Sequence, residues 1–361
     1  MSRCPACGTT YPDDAHFCTR DGSRLTRTAE SDEPSVRSPA TTPTMTRGTQ
    51  AGRADPPAPV IYSDLIGSIL DGRYQVERKI GEGGMSFVYL AHDISTKEQY
   101  AIKVLSATMS RDQTAMARLK REASLGMRLA HPNICHIIRI GETQDGLVYV
   151  VMPFVQGEIL SDRNHRMGVL PLSEVVPFVT DMAAGLHVAH ELSIVHRDLK
   201  PENIMITADA QGVEHAVVMD FGLAKERRAD AELQKLTATG IILGTPEFMS
   251  PEQLRGKVLD PRTDVYSLTL MTFEMLTGKL PFSGRTQQEM MISRLKHDPL
   301  PLRLARPDLV FSEAVERVLL KGMHRDLDHR YSTALDFSAA LAAAAGGRGT
   351  DGGVLGRLFG R

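Results

Sequence analysis

The 361-residue sequence has no long uninterrupted apolar run and almost no net charge. No stretch of about 18 consecutive apolar residues occurs, so the sequence predicts no transmembrane segment. The formal charge of −2 at pH 7 leaves no basic excess, which argues against nucleic acid as a partner. The polar, cysteine-bearing N-terminus does not have the pattern of a secretory signal. We therefore expect a cytoplasmic protein.

Cysteine is also scarce, and three of the four cysteines lie within the first 18 residues. Cys4 and Cys7 form a Cys-x-x-Cys pair, and a second such run begins at Cys18 but has Asp21 in its last position. This spacing brings two thiolates within reach of one metal ion, and zinc also accepts a carboxylate oxygen. So short a segment cannot bury a self-sufficient core, so we predict that these four residues hold structural Zn²⁺. The segment resembles the short zinc-ribbon modules of some bacterial proteins, and we call it zinc-ribbon-like. His16 is the other candidate for the fourth ligand, and a redox dithiol or plain surface thiols are the alternatives.

The segment that follows is rich in Ser, Thr, Pro and Ala and poor in large apolar residues. Such a composition buries too little apolar surface to fold, so residues 26–71 are predicted to form a flexible linker. At the other end, residues 343–361 form an Ala- and Gly-rich tail. This tail is interpreted as a fraying helix end, with a weak partner or membrane-surface contact as the alternative. Between linker and tail lies the region 72–342, in which Cys135 is expected to be an inert buried thiol.

Two runs in this central region carry the residue types that phosphoryl transfer needs. One run reads His-Arg-Asp-Leu-Lys-Pro-Glu-Asn and ends at Asn203, and an Asp-Phe-Gly run begins 17 residues later at Asp220. Phosphoryl transfer needs an acceptor that orients a substrate hydroxyl and ligands that hold Mg²⁺ against the nucleotide phosphates. Asp198 fits the first role, and Asn203 and Asp220 fit the second. In this order and at this spacing, the two runs resemble those of the protein kinase family.

The resemblance extends to a glycine-rich turn between two alternating apolar segments. Residues 74–80 and 87–91 are predicted strands, and glycines between them let a backbone approach phosphates without Cβ clashes. A plain hairpin turn is the alternative for this loop taken alone. Ser86 stands where the family pattern has its third glycine, and the Gly-Gly-Met version resembles the bacterial branch of the family. The residues that the resemblance implies for ATP binding are Ile80, Gly81, Glu82, Gly83, Gly84, Met85, Ser86, Phe87, Val88, Ala101, Lys103, Met152 and Val155.

The resemblance also implies roles for charged residues around the nucleotide. Lys103 is expected to contact the α- and β-phosphates of ATP and to pair with a glutamate on the next helix. Apolar residues recur at helical spacing over residues 111–130, and Glu122 is the expected partner. Lys200 is expected to steady the γ-phosphate. Val155 is expected to contact adenine through its backbone.

Features after the Asp-Phe-Gly run resemble Ser/Thr kinases rather than tyrosine kinases. Residues 244–252 resemble the substrate-docking segment of that class. A helix that begins at Asp264 and is apolar on nearly all sides through Leu276 is the expected buried central helix of the large lobe, with Gly278 as its C-cap. Thr237 and Thr239 precede Thr245 by eight and six residues, as does a phosphorylated pair in bacterial relatives. The resemblance implies that phosphate there orders the loop through arginine hydrogen bonds.

The resemblance therefore implies an α+β chain with the two-lobed protein kinase fold, here preceded by the predicted small zinc ribbon (residues 1–25) and flexible linker. A β-rich small lobe and a helical large lobe are expected to hold ATP between them, and Arg330 is expected to pair with Glu252. The implied function is that of a bacterial eukaryotic-like (Hanks-type) Ser/Thr protein kinase using ATP and Mg²⁺ or Mn²⁺, regulated by autophosphorylation. The alternative is a nucleotide-binding pseudokinase scaffold that docks partner proteins through the zinc ribbon. A metal-dependent DNA-binding regulator is disfavoured, because the ribbon has too few basic groups to neutralise phosphates.

Overall fold

A computed structural model describes most of the central region and short parts of the N-terminal region. The described residues are 2–3, 10–11, 26–27, 65–83, 86–106, 126–143, 146–221, 246–284 and 286–346. The chain divides into two compact units, residues 1–58 and residues 59–361.

In the first unit, three short strands form an antiparallel sheet. The strand β1 (Ser2–Arg3) lies between β2 (Thr10–Tyr11) and β3 (Thr26–Arg27). The first Cys-x-x-Cys run therefore falls between two paired strands. The predicted zinc ligands Cys4, Cys7, Cys18, Asp21 and the alternative His16 lie outside the described residues.

The second unit begins with an antiparallel sheet that, in the described residues, has six strands in the order β4-β5-β6-β7-β9-β8. The two strands predicted around the glycine turn are confirmed and are longer than expected. The strands are β4 (Ile69–Leu70), β5 (Tyr74–Gly83), β6 (Ser86–Asp93), β7 (Gln99–Leu105), β8 (Arg139–Glu142) and β9 (Val148–Pro153).

Alternation along these strands decides which side chains face the cleft. Successive side chains on a strand point to opposite faces. On β7, Ile102 and Val104 pack into the apolar cluster on one face of the sheet, whereas Ala101 packs with Met152 on the other. Lys103 is two residues from Ala101 and therefore shares its face.

The large lobe is mainly helical, with a small sheet of order β10-β11-β12 at its edge. The strands are β10 (Glu158–Ile159), β11 (Ile204–Ala208) and β12 (Glu214–Val218). The helices are α1 (Leu160–Met167), α2 (Leu172–Glu191), α3 (Pro251–Leu254), α4 (Arg262–Thr277), α5 (Gln287–Lys296), α6 (Leu302–Ala305), α7 (Glu313–Gly322) and α8 (Ala334–Gly346). None of the helices in the described ranges has the length and apolar composition needed to cross a bilayer.

Helix α4 forms the centre of this lobe, as its apolar composition predicts. Nearly all of its side chains are buried, and it packs against α2, α7 and α8. It ends at the predicted cap, Gly278, whose φ of +67° is left-handed. A Cβ at Gly278 would lie 2.4 Å from the carbonyl oxygen of Gly168, so the position requires glycine for both conformation and space.

The helix predicted over residues 111–130 is too long at its C-terminal end. Residues 127–130 form a turn and irregular chain, in which the Leu129 N–H donates to the Gly126 carbonyl oxygen at 3.2 Å. Leu129 and Ile134 are buried. The N–H of Cys135 then donates to the carbonyl oxygen of Val218 at 2.9 Å, which joins this segment to β12. Residues 107–125, which include Glu122, lie outside the described residues.

Candidate active site

The His-Arg-Asp run lies in the connection from α2 to β11 and ends in a short 3₁₀ turn, Pro201–Asn203. Asn203 Nδ2 donates to the backbone oxygen of Asp198 at 2.7 Å and to its Oδ2 at 3.1 Å. Lys200 Nζ lies 3.8 Å from the same Oδ2. The side chains of Asp198 and Lys200 are 20% and 17% exposed. They are therefore held in place and still accessible to a substrate.

A second pair joins the small lobe to the Asp-Phe-Gly run. Lys103 Nζ on β7 lies 2.7 Å from Asp220 Oδ2, just after β12. Lys103 is largely buried, and the Asp220 side chain is 37% exposed. The structure therefore brings together the two charged groups that the resemblance assigned to phosphates and metal. The predicted partner Glu122 lies outside the described residues.

His196 links the His-Arg-Asp run, which we call the catalytic run, to the Asp-Phe-Gly run. Its Nε2 donates to the Met219 carbonyl oxygen at 2.9 Å, and its Nδ1 accepts from the Asp198 N–H at 3.3 Å. This pattern requires the neutral tautomer protonated on Nε2. Its ring also packs edge-on against Phe221, with ring centroids 4.8 Å apart.

The site has two non-glycine residues with left-handed backbones. Arg197 has φ of +66° and Asp220 has φ of +53°. Such conformations cost about 1–3 kcal/mol and cluster at functional sites, where surrounding contacts hold them. For Arg197, its backbone N–H donates to Asp264 Oδ1 at 3.0 Å, and the His196 N–H donates to Asp264 Oδ2 at 2.8 Å. Helix α4 therefore holds the strained catalytic run.

Asp264 supports the site by its contacts, and the sequence analysis gave it no role. Burial alone would raise the pKa of its carboxyl group, but the hydrogen bond from His190 Nε2 at 2.8 Å and the positive charge of His190 hold it below its ordinary value. It therefore stays ionised and can accept both backbone N–H groups of the run. The sequence feature that could have identified Asp264 is an acidic residue at the start of a helix that is otherwise apolar.

The residues expected around adenine form an apolar surface beneath the small-lobe sheet. The cluster includes buried Ala101, Val150 and Met152, with partly buried Ile80, Val88 and Val155 against it. Gly84 and Met85 lie outside the described residues.

Two residues beside this surface restrict its chemistry and shape. Burial raises the pKa of the Cys135 thiol to about 12, so it stays protonated at neutral pH and is inert, as predicted. At Gly157 a Cβ would lie 2.1 Å from the Ile206 carbonyl oxygen. Only glycine lets the chain after Val155 pass so close to β11.

A buried ion pair supports the segment after residue 246. Arg330 donates to both carboxylate oxygens of Glu252, at 2.8 and 2.7 Å, which confirms the predicted pair. The Arg330 guanidinium also lies 4.7 Å from the Tyr266 ring centroid. Gln253 Nε2 donates to the Arg197 carbonyl oxygen at 2.7 Å. The docking segment is thereby tied to the catalytic run.

Acidic side chains lie close to the catalytic run. Burial, together with the neighbouring charges of Glu202 and Glu247, raises the pKa of Glu274 to about 7, against a hydrogen bond from Asn164. The three carboxyl groups make the local potential negative when all are ionised, which favours cationic segments nearby.

The arrangement fits ATP and Mg²⁺. Mg²⁺ prefers oxygen ligands and usually takes one or two carboxylates together with substrate phosphates. Asp220 and Asn203 supply such oxygens, and Lys103 supplies a positive charge for phosphates. In the described residues, no group of three or more His, Cys, Asp or Glu side chains forms an all-protein metal site.

Comparison with known proteins decides the family. Residues 74–340 match the family model for the protein kinase domain. The chain belongs to the protein kinase family. It is 36% identical over 280 residues to the serine/threonine-protein kinase pkn3 of Myxococcus xanthus, covering 78% of this chain and 51% of that protein. It is also 36% identical over 280 residues to the serine/threonine-protein kinase PrkC of Bacillus subtilis, covering 78% and 42%.

Solved protein kinase structures agree with the fold. The PknI kinase domain of Mycobacterium tuberculosis superposes with a TM-score of 0.60 at 28% identity, covering 78% of this chain and 98% of that domain. The two-lobed fold predicted from the sequence is therefore confirmed. The chain spans about half or less of the length of these curated protein kinase relatives.

Proposed function

We propose that this chain is a Ser/Thr protein kinase of the bacterial Hanks type, which transfers the γ-phosphate of ATP to Ser or Thr hydroxyls of protein substrates. The observation that carries the proposal is that the run with Asp198, Lys200 and Asn203 lies beside the Lys103–Asp220 pair. The N–H of Met219, the residue before Asp220, donates to the Asn203 carbonyl oxygen at 2.8 Å. The names of the relatives support the class of acceptor. The reaction belongs to the cytoplasm, where ATP is available.

The chain's own residues account for the chemistry expected of such a site. Asp198 would accept a hydrogen bond from the substrate hydroxyl, orient its oxygen and take up its proton. Lys200 would balance charge on the transferred group, and Asp220 with Asn203 would hold Mg²⁺ or Mn²⁺. ATP supplies the phosphoryl group when bound. Most of the acceleration then comes from positioning and charge stabilisation.

Transfer of radiolabel from ATP to a generic basic protein tests this proposal. A kinase should label the acceptor in a reaction that requires Mg²⁺ or Mn²⁺. The pseudokinase scaffold would bind nucleotide without labelling any acceptor. Nucleotide binding without transfer would therefore reject the proposal in favour of the scaffold.

We also propose the division of the chain into a zinc-ribbon-like module (1–25), a flexible linker (26–71), a kinase domain (72–342) and a tail (343–361). The family match over residues 74–340 supports the boundaries proposed for the kinase domain. The paired strands that flank the first cysteine pair support a small separate module at the N-terminus. Such a module would dock a protein partner, while the kinase domain takes protein substrates.

We predict that the N-terminal module binds one zinc ion per chain through Cys4, Cys7, Cys18 and Asp21. Structural zinc contributes about 10–16 kcal/mol in such short peptides at neutral pH, so purified protein should retain it. Metal analysis should give about one zinc per chain, and Asp21→Ala should weaken binding more than His16→Ala. A native protein without zinc would contradict the prediction, and the reverse ranking of the two variants would make His16 the fourth ligand.

We predict autophosphorylation at Thr237, Thr239 or both. Arg197 lies in the catalytic run, and a phosphate near a guanidinium forms strong charge-assisted hydrogen bonds that order a loop. Mass spectrometry of protein made in cells without other Ser/Thr kinases should find phosphate at these positions. The double variant Thr237→Ala, Thr239→Ala should lose most activity, whereas Thr207→Ala on β11 should retain it. Full activity of the double variant would disprove the regulatory role of these two threonines.

A further inference from the structure

Helix α5 places a buried guanidinium against the segment that is expected to dock substrate. Arg294 is 1% exposed, and its charge is costly to bury unless its N–H groups find acceptors. Its Nη1 donates to the Met249 carbonyl oxygen at 2.9 Å, and its Nη2 donates to the Glu247 carbonyl oxygen. The guanidinium also lies 5.5 Å from the ring centroid of Phe282.

The carbonyl between these two is held from another helix. Ser267 on α4 donates through its hydroxyl to the Phe248 carbonyl oxygen at 2.8 Å. Three consecutive backbone carbonyls, of residues 247 to 249, therefore accept from two buried side chains. We call Arg294 and Ser267 the carbonyl clamp.

The clamped segment is connected directly to the catalytic run. Ser250 and Gln253 form a reciprocal cap at the start of α3. The Gln253 side-chain amide also donates to the Arg197 carbonyl oxygen. Asp198 is the next residue. A shift of the clamped backbone would therefore move the surface on which the acceptor is expected to dock, which would weaken acceptor binding and raise the KM for the acceptor.

We infer that Arg294 is a positioning residue for the protein acceptor, acting with Ser267 through the backbone carbonyls of residues 247 to 249. This inference rests on the proposed kinase function. Arg294 donates to the backbone of the segment that is expected to dock the acceptor, whereas Lys103 and Asp220 pair with each other at the nucleotide site. Its role is therefore to set where the acceptor lies, and ATP binding should be independent of it.

The central experiment measures KM for a protein acceptor and for ATP separately in Arg294→Met. The hydrophobic side chain keeps much of the volume but cannot donate, so the KM for the acceptor should rise about tenfold. The KM for ATP and the rate of ATP hydrolysis without acceptor should each stay within about twofold, because the variant leaves the Lys103–Asp220 pair unaltered. Arg294→Lys keeps a cation with donors but loses the planar fork, so its KM should be intermediate.

Two matched controls separate positioning from loss of stability. Arg163 is also buried, donates to both oxygens of Glu214 at 2.7 Å and packs against Phe178. Arg163→Met should lower the melting temperature without raising the acceptor KM. On α4, Ser267→Ala should raise the acceptor KM about two- to threefold for one lost hydrogen bond. Thr272→Val removes a hydroxyl that donates to the Leu268 carbonyl oxygen of the same helix and should not raise the acceptor KM.

The outcomes are distinguishable. No transfer by the wild type would reject the kinase function itself. Transfer with an unchanged acceptor KM in Arg294→Met, or an equal rise in the KM for ATP, would overturn the inference alone. An equal rise in Arg163→Met would assign the effect to stability. If Arg294→Met does not fold, Arg294→Lys and Ser267→Ala decide the result by the same criterion.

Discussion

Asp198→Asn should reduce phosphate transfer by about 10²–10⁴-fold, the range expected when a positioned acid–base group is lost. The amide nearly matches the carboxylate in size but cannot take up the hydroxyl proton. The hydrogen bond between Asn203 Nδ2 and the Asp198 backbone oxygen does not involve the altered group, so the run should keep its shape. Radiolabel transfer to a basic protein measures the loss, with circular dichroism to verify folding.

The control for this variant is an acidic residue of the same lobe outside the site. Asp209 lies in the turn between β11 and β12, where its carboxylate accepts from backbone N–H groups. Asp209→Asn should retain nearly all transfer activity. Lys103→Met, which removes the partner of Asp220, should be as inactive as Asp198→Asn. Normal transfer by Asp198→Asn would disprove the role assigned to the Asp198 carboxylate.

Glu252→Gln should lower the free energy of unfolding by about 3–5 kcal/mol, because it leaves one charge of a buried pair without its counterpart. The side chains of Arg330 and Glu252 are 0% and 3% exposed, so water cannot replace the lost partner. Thr263 also donates to Glu252 Oε1 at 3.0 Å, and Gln can keep this bond. Thermal unfolding followed by circular dichroism should show a fall of about 10 °C for a domain of this size.

The pH dependence gives the same prediction a second test. Burial raises the pKa of Glu252, but the hydrogen bond and charge of Arg330 outweigh it and hold the pKa below its ordinary value of 4.5. A carboxyl with a lowered folded-state pKa stabilises the fold above its unfolded-state pKa and loses that contribution as the pH falls through the folded-state value. The difference between wild type and Glu252→Gln should therefore be full at pH 7 and shrink below about pH 4.5.

An exposed ion pair provides the comparison for Glu252. Arg306 donates to both oxygens of Asp308 at 2.8 and 2.6 Å, but the Asp308 side chain is 59% exposed. Asp308→Asn should leave the melting temperature nearly unchanged, because solvent screens such a pair. Equal losses in both variants would show that burial does not set the strength of the Glu252–Arg330 pair.

The sequence alone determined the residues that carry out the proposed chemistry. Asp198, Lys200 and Asn203 lie in one short run, so their mutual placement depends mainly on local backbone geometry. The strands around the glycine turn followed from alternation with period two, and α4 followed from an apolar composition on all sides. These features are local, and a local pattern is visible without knowledge of the fold.

Only the tertiary structure decided how the site is supported. Asp264 holds the strained backbone of Arg197 from 67 residues away, and Arg294 reaches the Met249 carbonyl oxygen across 45 residues. The Glu252–Arg330 pair spans 78 residues and was foreseen only through the family resemblance. Backbone carbonyl oxygens, which accept hydrogen bonds, occur at every residue. No sequence pattern therefore marks those that a buried side chain will contact. Their partners are chosen by the packing of α3, α4 and α5, which exists only once the lobe has folded.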